Sequence, residues 1–544
     1  MGHHKKTQEK PFERAGRVAL DNFTLIFCVA ALAVCLFYCF FTGQIWEDFF
    51  ITFKFSQNIY EGGGMVYNDG VKVHGFTSPL GTLLPALCCC LQGSGDYSGA
   101  LWLFRLIFCI PAFIAGGVFF IRLFSGPGAR VSLPGAFMGI FYLFQAKGVM
   151  FSLNGMETAL MLFFLGWAFF IVRRGAAERW ISLGCACAGL QWTRPDSFIY
   201  IAALFAGALI FSGKEGRPGL FKALIKAGLL SVTLYLPWLL WAWLYYGSPL
   251  PHTITAKSKL EPFLGVWPLA LKICGGLFKT AAEIFAPPYI NFRSWPPLVH
   301  LLCGALGCFG LLYFLCFFVR DFLGKTASFV FFAACVYLAG IPRLYPWYAP
   351  PAETLGWLAL AAGTSSLAGV LSGVKSRPRL IVLILAPFAV FLALSFAMIT
   401  FYSKVQQEIV EDGTRRQIGE WLRGVIKPGE RVYLECLGYI GYFSGAHMLD
   451  YPGLASPEVA RLLREPGMNF ARAAAELKPE WIVLRYYECL AMANSGALDN
   501  YRCVREFNSL PETEKHAYIP GESNLYYDAV FFVFKRKDLC EGDQ

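Results

Sequence analysis

The sequence predicts a polytopic α-helical membrane protein of about eleven transmembrane helices, followed by a C-terminal extracytoplasmic α/β domain. Three observations predict it. Hydrophobic residues make up 56% of the 544 positions and charged residues only 15%, against roughly 25% charged in a typical soluble domain. Apolar stretches recur through the first 400 positions, many near the ~20 residues that a helix needs to cross a hydrocarbon core about 30 Å thick. Beyond residue 401 charge rises, and short apolar strands separated by polar segments replace the long apolar runs. A soluble globule cannot hide so much apolar surface, which excludes a cytosolic enzyme, a disordered chain and a disulfide scaffold.

The first apolar segment, 24–42, follows Lys5, Lys6, Lys10, Arg14 and Arg17. Those cations place the N-terminus in the cytoplasm by the positive-inside rule. No small-residue cleavage site follows, so the segment reads as an uncleaved anchor. Lys6 stands where a myristoylation signal needs Ser or Thr. Later apolar segments fall near 76–92, 99–121, 131–150, 157–172, 180–192, 197–212, 222–245, 296–319, 326–341, 346–370 and 380–400. The basic connections are Arg122/Arg130, Arg173/Arg174/Arg179, Lys214/Arg217/Lys222, Arg320/Lys325 and Lys375/Arg377/Arg379. If these are cytoplasmic, every segment from 131 onward alternates correctly. With the N-terminus also inside, 76–92 and 99–121 cannot both cross. The first of these is short and holds Pro79 and Pro85, so it is expected to lie at the interface or re-enter, leaving the tail outside. Most of the net charge of +10 is therefore topological, and no nucleic-acid partner is implied.

The tail divides from the rest at about residue 400, giving domains 1–400 and 401–544. Residues 404–426 read as an amphipathic helix, with strands at 431–435, 481–485 and 529–536. Such a length is enough for one hydrophobic core. Most of the 18 cysteines lie inside apolar segments and read as small hydrophobes. Cys436, Cys489, Cys503 and Cys540 lie in the tail, where a disulfide is open. The chain shows no internal repeat.

Four polar clusters fall on the expected outer side. The first runs from Glu47-Asp48, with Lys54, through Glu61-Gly-Gly-Gly-Met-Val-Tyr-Asn68 to His74-Gly-Phe-Thr77-Ser78-Pro79. A carboxylate partly desolvated at a helix end has a raised pKa, which suits a general base; hydrated interfacial acids are the plainer reading. The second is Asn154-Gly-Met-Glu157-Thr158 and the third Thr193-Arg194-Pro-Asp196, where arginine offers a planar fork for phosphate. The fourth is Tyr246-Gly-Ser-Pro-Leu-Pro-His252-Thr with Lys257 and Lys259, to which Arg343 and Tyr345 are added. Cations on the outer side break the positive-inside pattern. Headgroup snorkelling explains them one at a time, and a bound lipid phosphate explains them together.

These motifs, in order from about 45 to 350, resemble the GT-C glycosyltransferase superfamily. Within it they are most similar to the terminal arabinofuranosyltransferases of mycobacterial cell walls and their bacterial relatives. Leu437-Gly-Tyr-Ile-Gly-Tyr-Phe-Ser-Gly with Leu449-Asp-Tyr-Pro-Gly-Leu is similar to the outer domain of those relatives. The resemblance implies an inverting enzyme of the bacterial inner membrane. It would pass a sugar, a pentofuranose such as arabinofuranose, from a polyprenyl-phosphate donor to a glycan, lipid or protein acceptor outside. The family's base maps to Glu47-Asp48; relatives usually show Asp-Asp, so Asp48 is the expected base. An arginine of the family is Lys54 here. Lys257, Lys259, Arg194, Arg343 and Lys54 are the candidates for holding donor phosphate, and His74, Thr77, Ser78, Glu157, His252 and Tyr345 for binding substrate.

The chemistry itself asks for a base, in-line geometry and stabilisation of the departing phosphate, not a metal. A divalent cation remains open, with Asp48, Glu157 and His252 as its ligands. Tyr439, Tyr442 and Tyr451 either bind acceptor glycan or, as preferred here, fill the core of the tail. Two other classes compete: a transporter or flippase of a lipid-linked saccharide, although no inverted repeat is found, and a membrane-anchored binding protein.

Overall fold

Asn22–Thr42, Tyr97–Arg122, Thr158–Gly175, Arg217–Tyr246, Pro297–Leu315, Phe322–Gly340 and Pro378–Val425 are the seven helices long and apolar enough to cross a membrane among the described residues. They are seen in a computed structural model that describes residues 22–125, 130–254, 266–288, 295–341, 344–371 and 377–540. The basic residues Lys5 to Arg17, Lys257, Lys259, Arg343 and Lys375 lie outside those described. Leu133–Phe144 and Ala146–Leu153, bent by 53°, make an eighth span if they cross as one. The break falls at Gln145, whose backbone is extended (φ −68°, ψ 104°). Its buried side chain accepts a hydrogen bond from Thr354 Oγ1 at 3.0 Å.

Pro79–Gln92 has 14 residues, as has Trp180–Thr193, and Ser197–Phe211 has 15. At 1.5 Å per residue these reach about 21–23 Å, short of the hydrocarbon core. The first has the length expected of an interfacial or re-entrant helix. Val266–Phe285 is a 20-residue helix in a stretch where the sequence reading marked no element. All 18 cysteines are free, including the four in the tail.

The last span does not stop at the soluble domain. Arg377–Gln406 runs through a π-helical stretch, Gln407–Arg415, into Arg416–Val425. The expected amphipathic helix is thus the continuation of the final span. A five-stranded sheet follows: β1 Arg431–Leu434, β2 His447–Asp450, β3 Trp481–Arg485, β4 Tyr501–Asn508 and β5 Val530–Arg536, in the order β2-β1-β3-β5-β4. β1 pairs in parallel with β2 and β3, while β5 pairs antiparallel with β3 and β4. β1, β3 and β5 match the expected strands; β2 and β4 were not foreseen.

The α/β domain is seated on the membrane module. One apolar cluster joins Ile51, Phe55 and Tyr67 to Ile418, Leu422, Val432 and Ile440. Phe50 packs its ring against Tyr439 at 4.5 Å, Tyr442 at 4.9 Å and Phe443 at 5.3 Å. Tyr439 and Tyr442 therefore fill core, and Tyr451 packs edge-on to Phe470 at 5.1 Å. Asn68 exchanges two 3.0 Å hydrogen bonds with the Met448 backbone, and Tyr67 Oη donates to Leu437 O at 3.1 Å. The middle of the first polar cluster, at Tyr67 and Asn68, is thus a docking strip for the domain.

Candidate active site

The helix Glu47–Tyr60 opens on Trp46, with Glu47 and Asp48 in its first turn, where the helix dipole favours negative charge. Three contacts fix this opening. Trp46 N donates to Asn154 O at 2.9 Å. Buried Arg105 bridges Leu153 O and Gln44 O at 2.6 and 2.8 Å. Gly155 sits at φ +100°, and a Cβ there would lie 2.4 Å from the Phe49 ring. The Asn154-Gly155 turn thus needs glycine for both its φ and its neighbour, and it carries the first and second polar clusters to one place.

The two adjacent acids have different surroundings. Glu47 Oε1 accepts from Gly438 N at 2.7 Å, and Oε2 accepts from Tyr439 N at 3.4 Å and from Arg415 Nη1 at 3.3 Å. A Cβ on Gly438 would fall 2.1 Å from Glu47 O. Burial pushes the Glu47 carboxyl up, while Arg415 and the Gly438 amide pull it back. Asp48, one step further round the helix, is partly buried, as Glu47 is.

Both acids line a cavity of about 610 Å³ between the membrane helices and the α/β domain. The helix Val266–Phe285 lines it too, through Lys272, Lys279, Thr280 and Glu283. Lys279 is 78% exposed and 3.8 Å from Glu283. Tyr345 lines the cavity beside Trp347, their rings stacked at 4.6 Å. Lys147, two residues after the break at Gln145, lines it as well. It donates to Ile284 O and to Ala286 O at 2.8 Å, and pairs with buried Glu353 at 3.5 Å. The lysine thereby caps the carbonyl end of Val266–Phe285.

The α/β domain supplies the remaining wall. Arg415 pairs with Glu411 at 2.9 Å and Asp528 at 2.8 Å, and Arg485 pairs with Asp528 at 2.5 Å and Glu488 at 2.8 Å. Burial alone would raise the Asp528 carboxyl; the two guanidinium groups instead hold it at about 2. Glu411 and Arg415 belong to the π-helical stretch, and such wide turns often accompany functional sites.

The other expected residues divide among three places. Glu157 pairs with Arg194 at 3.2 Å, and Arg194 also pairs with Asp196 at 3.0 Å and lies 4.5 Å from the centre of the Tyr348 ring. Tyr348 is close enough to feel the charges of both Arg194 and Asp48, so this cluster adjoins the cavity. His74 is buried, stacked on Tyr246 at 4.9 Å, and accepts at its backbone oxygen from His252 N at 2.8 Å. Thr77 is partly buried, and Ser78 caps Pro79–Gln92 by accepting from Gly81 N at 2.8 Å. Lys54 donates to Gln57 at 3.3 Å and does not line the cavity. Asp48, Glu157 and His252 do not gather, and among the described residues no three His, Cys, Asp or Glu side chains are grouped as a metal would need.

Sequence reasoning missed Lys147, Glu353, Lys272, Lys279, Arg415, Arg485 and Asp528. Two signals were present. Lys147 and Glu353 are opposite charges inside two apolar segments, which marks a functional or paired site. Lys272, Gly276, Lys279 and Glu283 recur at helical spacing.

A family model described as a domain of unknown function (DUF8728) matches residues 403–527. No curated protein matches the chain. Among solved structures, the archaeal oligosaccharyltransferase AglB from Archaeoglobus fulgidus, in complex with an inhibitory peptide and a dolichol-phosphate, aligns at TM-score 0.54. The identity is 12%, over 90% of this chain and 74% of that one. ArnT from Cupriavidus metallidurans, bound to undecaprenyl phosphate, aligns at TM-score 0.52 and 14% identity, over 95% of this chain and 98% of that one. The arabinofuranosyltransferase AftD from mycobacteria gives 14% identity at TM-score 0.44, covering 95% of this chain and 40% of that one, and bears no argument. At these identities the likeness is one of architecture: the chain is a multi-pass helical membrane protein with the GT-C fold and a C-terminal α/β domain.

Proposed function

We propose that the protein is an inverting glycosyltransferase that takes a sugar from a polyprenyl-phosphate donor and passes it to a glycan, lipid or protein acceptor. One observation carries this reading: a single cavity is lined by Asp48 together with Lys272 and Lys279. Asp48 acts as base and removes the acceptor hydroxyl proton as that oxygen attacks the anomeric carbon. The bond to phosphate breaks on the opposite face, so the configuration inverts. The lysines neutralise charge developing on the departing lipid phosphate, while Arg194 is engaged by Glu157 and Asp196 beside the cavity. Glu47 does not react; it anchors the α/β domain that closes the cavity. The similar structures of AglB and ArnT hold dolichol-phosphate and undecaprenyl phosphate, which favours a polyprenyl donor. The motif resemblance favours a pentofuranose such as arabinofuranose. The reading places the cavity and the α/β domain, residues 401–544, outside the plasma membrane of a bacterium.

The test uses the purified full chain. Mass spectrometry of co-purifying lipid is expected to find a polyprenyl phosphate or its glycoside, and radiolabelled transfer is expected to vanish in Asp48→Asn with lipid binding kept. Transfer that survives replacement of both Glu47 and Asp48 sinks the mechanism. Movement of a lipid-linked saccharide across vesicles, with no bond broken, would instead establish a flippase.

A further inference from the structure

The tyrosines of the α/β domain fall into two sets. Tyr439 and Tyr442 are spent on packing against Phe50. Tyr486, Tyr487 and Tyr527 stand out from the surface, 57%, 45% and 54% exposed. The rings of Tyr487 and Tyr527 meet edge to face at 5.5 Å and 70°. We propose that this exposed tyrosine pair at the cavity rim is an acceptor platform for a neutral oligosaccharide.

The position of the pair supports this first. Arg485 lies two residues before Tyr487 and Asp528 directly follows Tyr527, and both line the cavity that contains Asp48. They are joined to each other at 2.5 Å, and the Arg485 guanidinium lies 5.9 Å from the centre of the Tyr487 ring. At each of the two segments, the chain passes from cavity wall to exposed aromatic within two residues. A ligand resting on the rings is therefore continuous with the site of reaction.

The chemistry of the surface supports it next. A tyrosine ring offers an apolar face to sugar C–H groups and a hydroxyl to sugar oxygens. The pair is also rigidly held, because Arg485 binds Glu435, Glu488 and Asp528 together. Three carboxylates surround that one guanidinium, Asp528 being shared with Arg415, so the rim offers no net positive charge to a phosphate. A neutral chain, lying across the rings with its terminal hydroxyl directed inward, fits both features.

This inference rests on the transferase reading for its choice of ligand, and its test keeps the two apart. Neutral di- to hexasaccharides of arabinose, galactose and mannose are titrated onto the full chain in detergent and followed by saturation-transfer NMR. Affinity is expected to rise with chain length. The double variant Y487A/Y527A is expected to weaken binding about tenfold, as for loss of an aromatic anchor, and to raise acceptor KM rather than lower kcat. Y487W/Y527W is expected to restore both. Transfer that proceeds with unaltered acceptor KM in Y487A/Y527A overturns the platform and leaves the transferase intact. Tyrosine-dependent saccharide binding without turnover of any lipid-linked donor upholds the platform and refutes the transferase. Loss of self-association, or of binding to vesicles of anionic lipid, as the sole effect of Y487A/Y527A overturns the platform too.

Discussion

Replacing Glu47 and Asp48 one at a time separates anchoring from chemistry. Glu47 receives one strong amide hydrogen bond from Gly438 at 2.7 Å and a long one from Tyr439 at 3.4 Å, together with the Arg415 ion pair at 3.3 Å. A hydrogen bond to a charged group contributes about 1.5–3 kcal/mol. Arg415 keeps Glu411 and Asp528 as partners when Glu47 is lost, so no buried charge is stranded. The cost of Glu47→Ala therefore stays near 2–4 kcal/mol, below the upper end of the 3–5 kcal/mol for breaking an isolated buried pair. Glu47→Gln keeps one acceptor and costs about 1 kcal/mol. Asp48→Asn keeps the size of the side chain and removes the proposed base, which lowers kcat by about a hundred- to ten-thousand-fold. The assay pairs sugar transfer with melting and limited proteolysis in detergent. Expected are a loosened, protease-sensitive α/β domain in Glu47→Ala with residual transfer, and an intact but inactive Asp48→Asn. An Asp48→Asn variant that transfers normally, or a Glu47→Gln variant that is fully stable yet equally dead, refutes the assignment.

Three further outcomes are expected. Gly438→Ala forces a Cβ to within 2.1 Å of Glu47 O, backbone against backbone, so it undocks the domain at a cost of about 3 kcal/mol or more; proteolysis between residues 401 and 431 reads this out. Lys147→Met strands Glu353 among apolar helices and costs about 3–5 kcal/mol, while Lys147→Met with Glu353→Leu recovers most of it, as melting temperatures measure. Burial, aided by His252, holds the His74 imidazole at about 4 against an ordinary 6.5. The unfolded chain then binds the extra proton first, so stability falls as pH drops from 6.5 towards 4, by up to about 3 kcal/mol. His74→Phe is expected to flatten that slope in melting curves, and an unchanged slope would exclude His74 as its source.

The sequence by itself determined what depends on local pattern. Hydropathy marked the seven long apolar helices, because crossing hydrocarbon is a property of one segment and its length. Short unbroken apolar runs marked β1, β3 and β5, whose side chains are mostly buried. β4 escaped because it is an edge strand with most of its residues exposed, which leaves no apolar rhythm, and β2 because it has only four residues. The sequence also located the acidic pair at the head of its helix.

Only the tertiary structure decided what each acid does. Adjacent helical residues point about 100° apart, and the docked α/β domain binds Glu47 through Gly438 and Arg415 while both acids line the cavity. Motif residues Asn68, Ser78 and Glu157 proved to be held by a docking strip, a helix cap and an ion pair. Lys147 meets Glu353, and Asp48 and Lys272 line one cavity, across long stretches of chain. Such meetings depend on how helices pack, and packing is a property of surfaces brought together from distant segments.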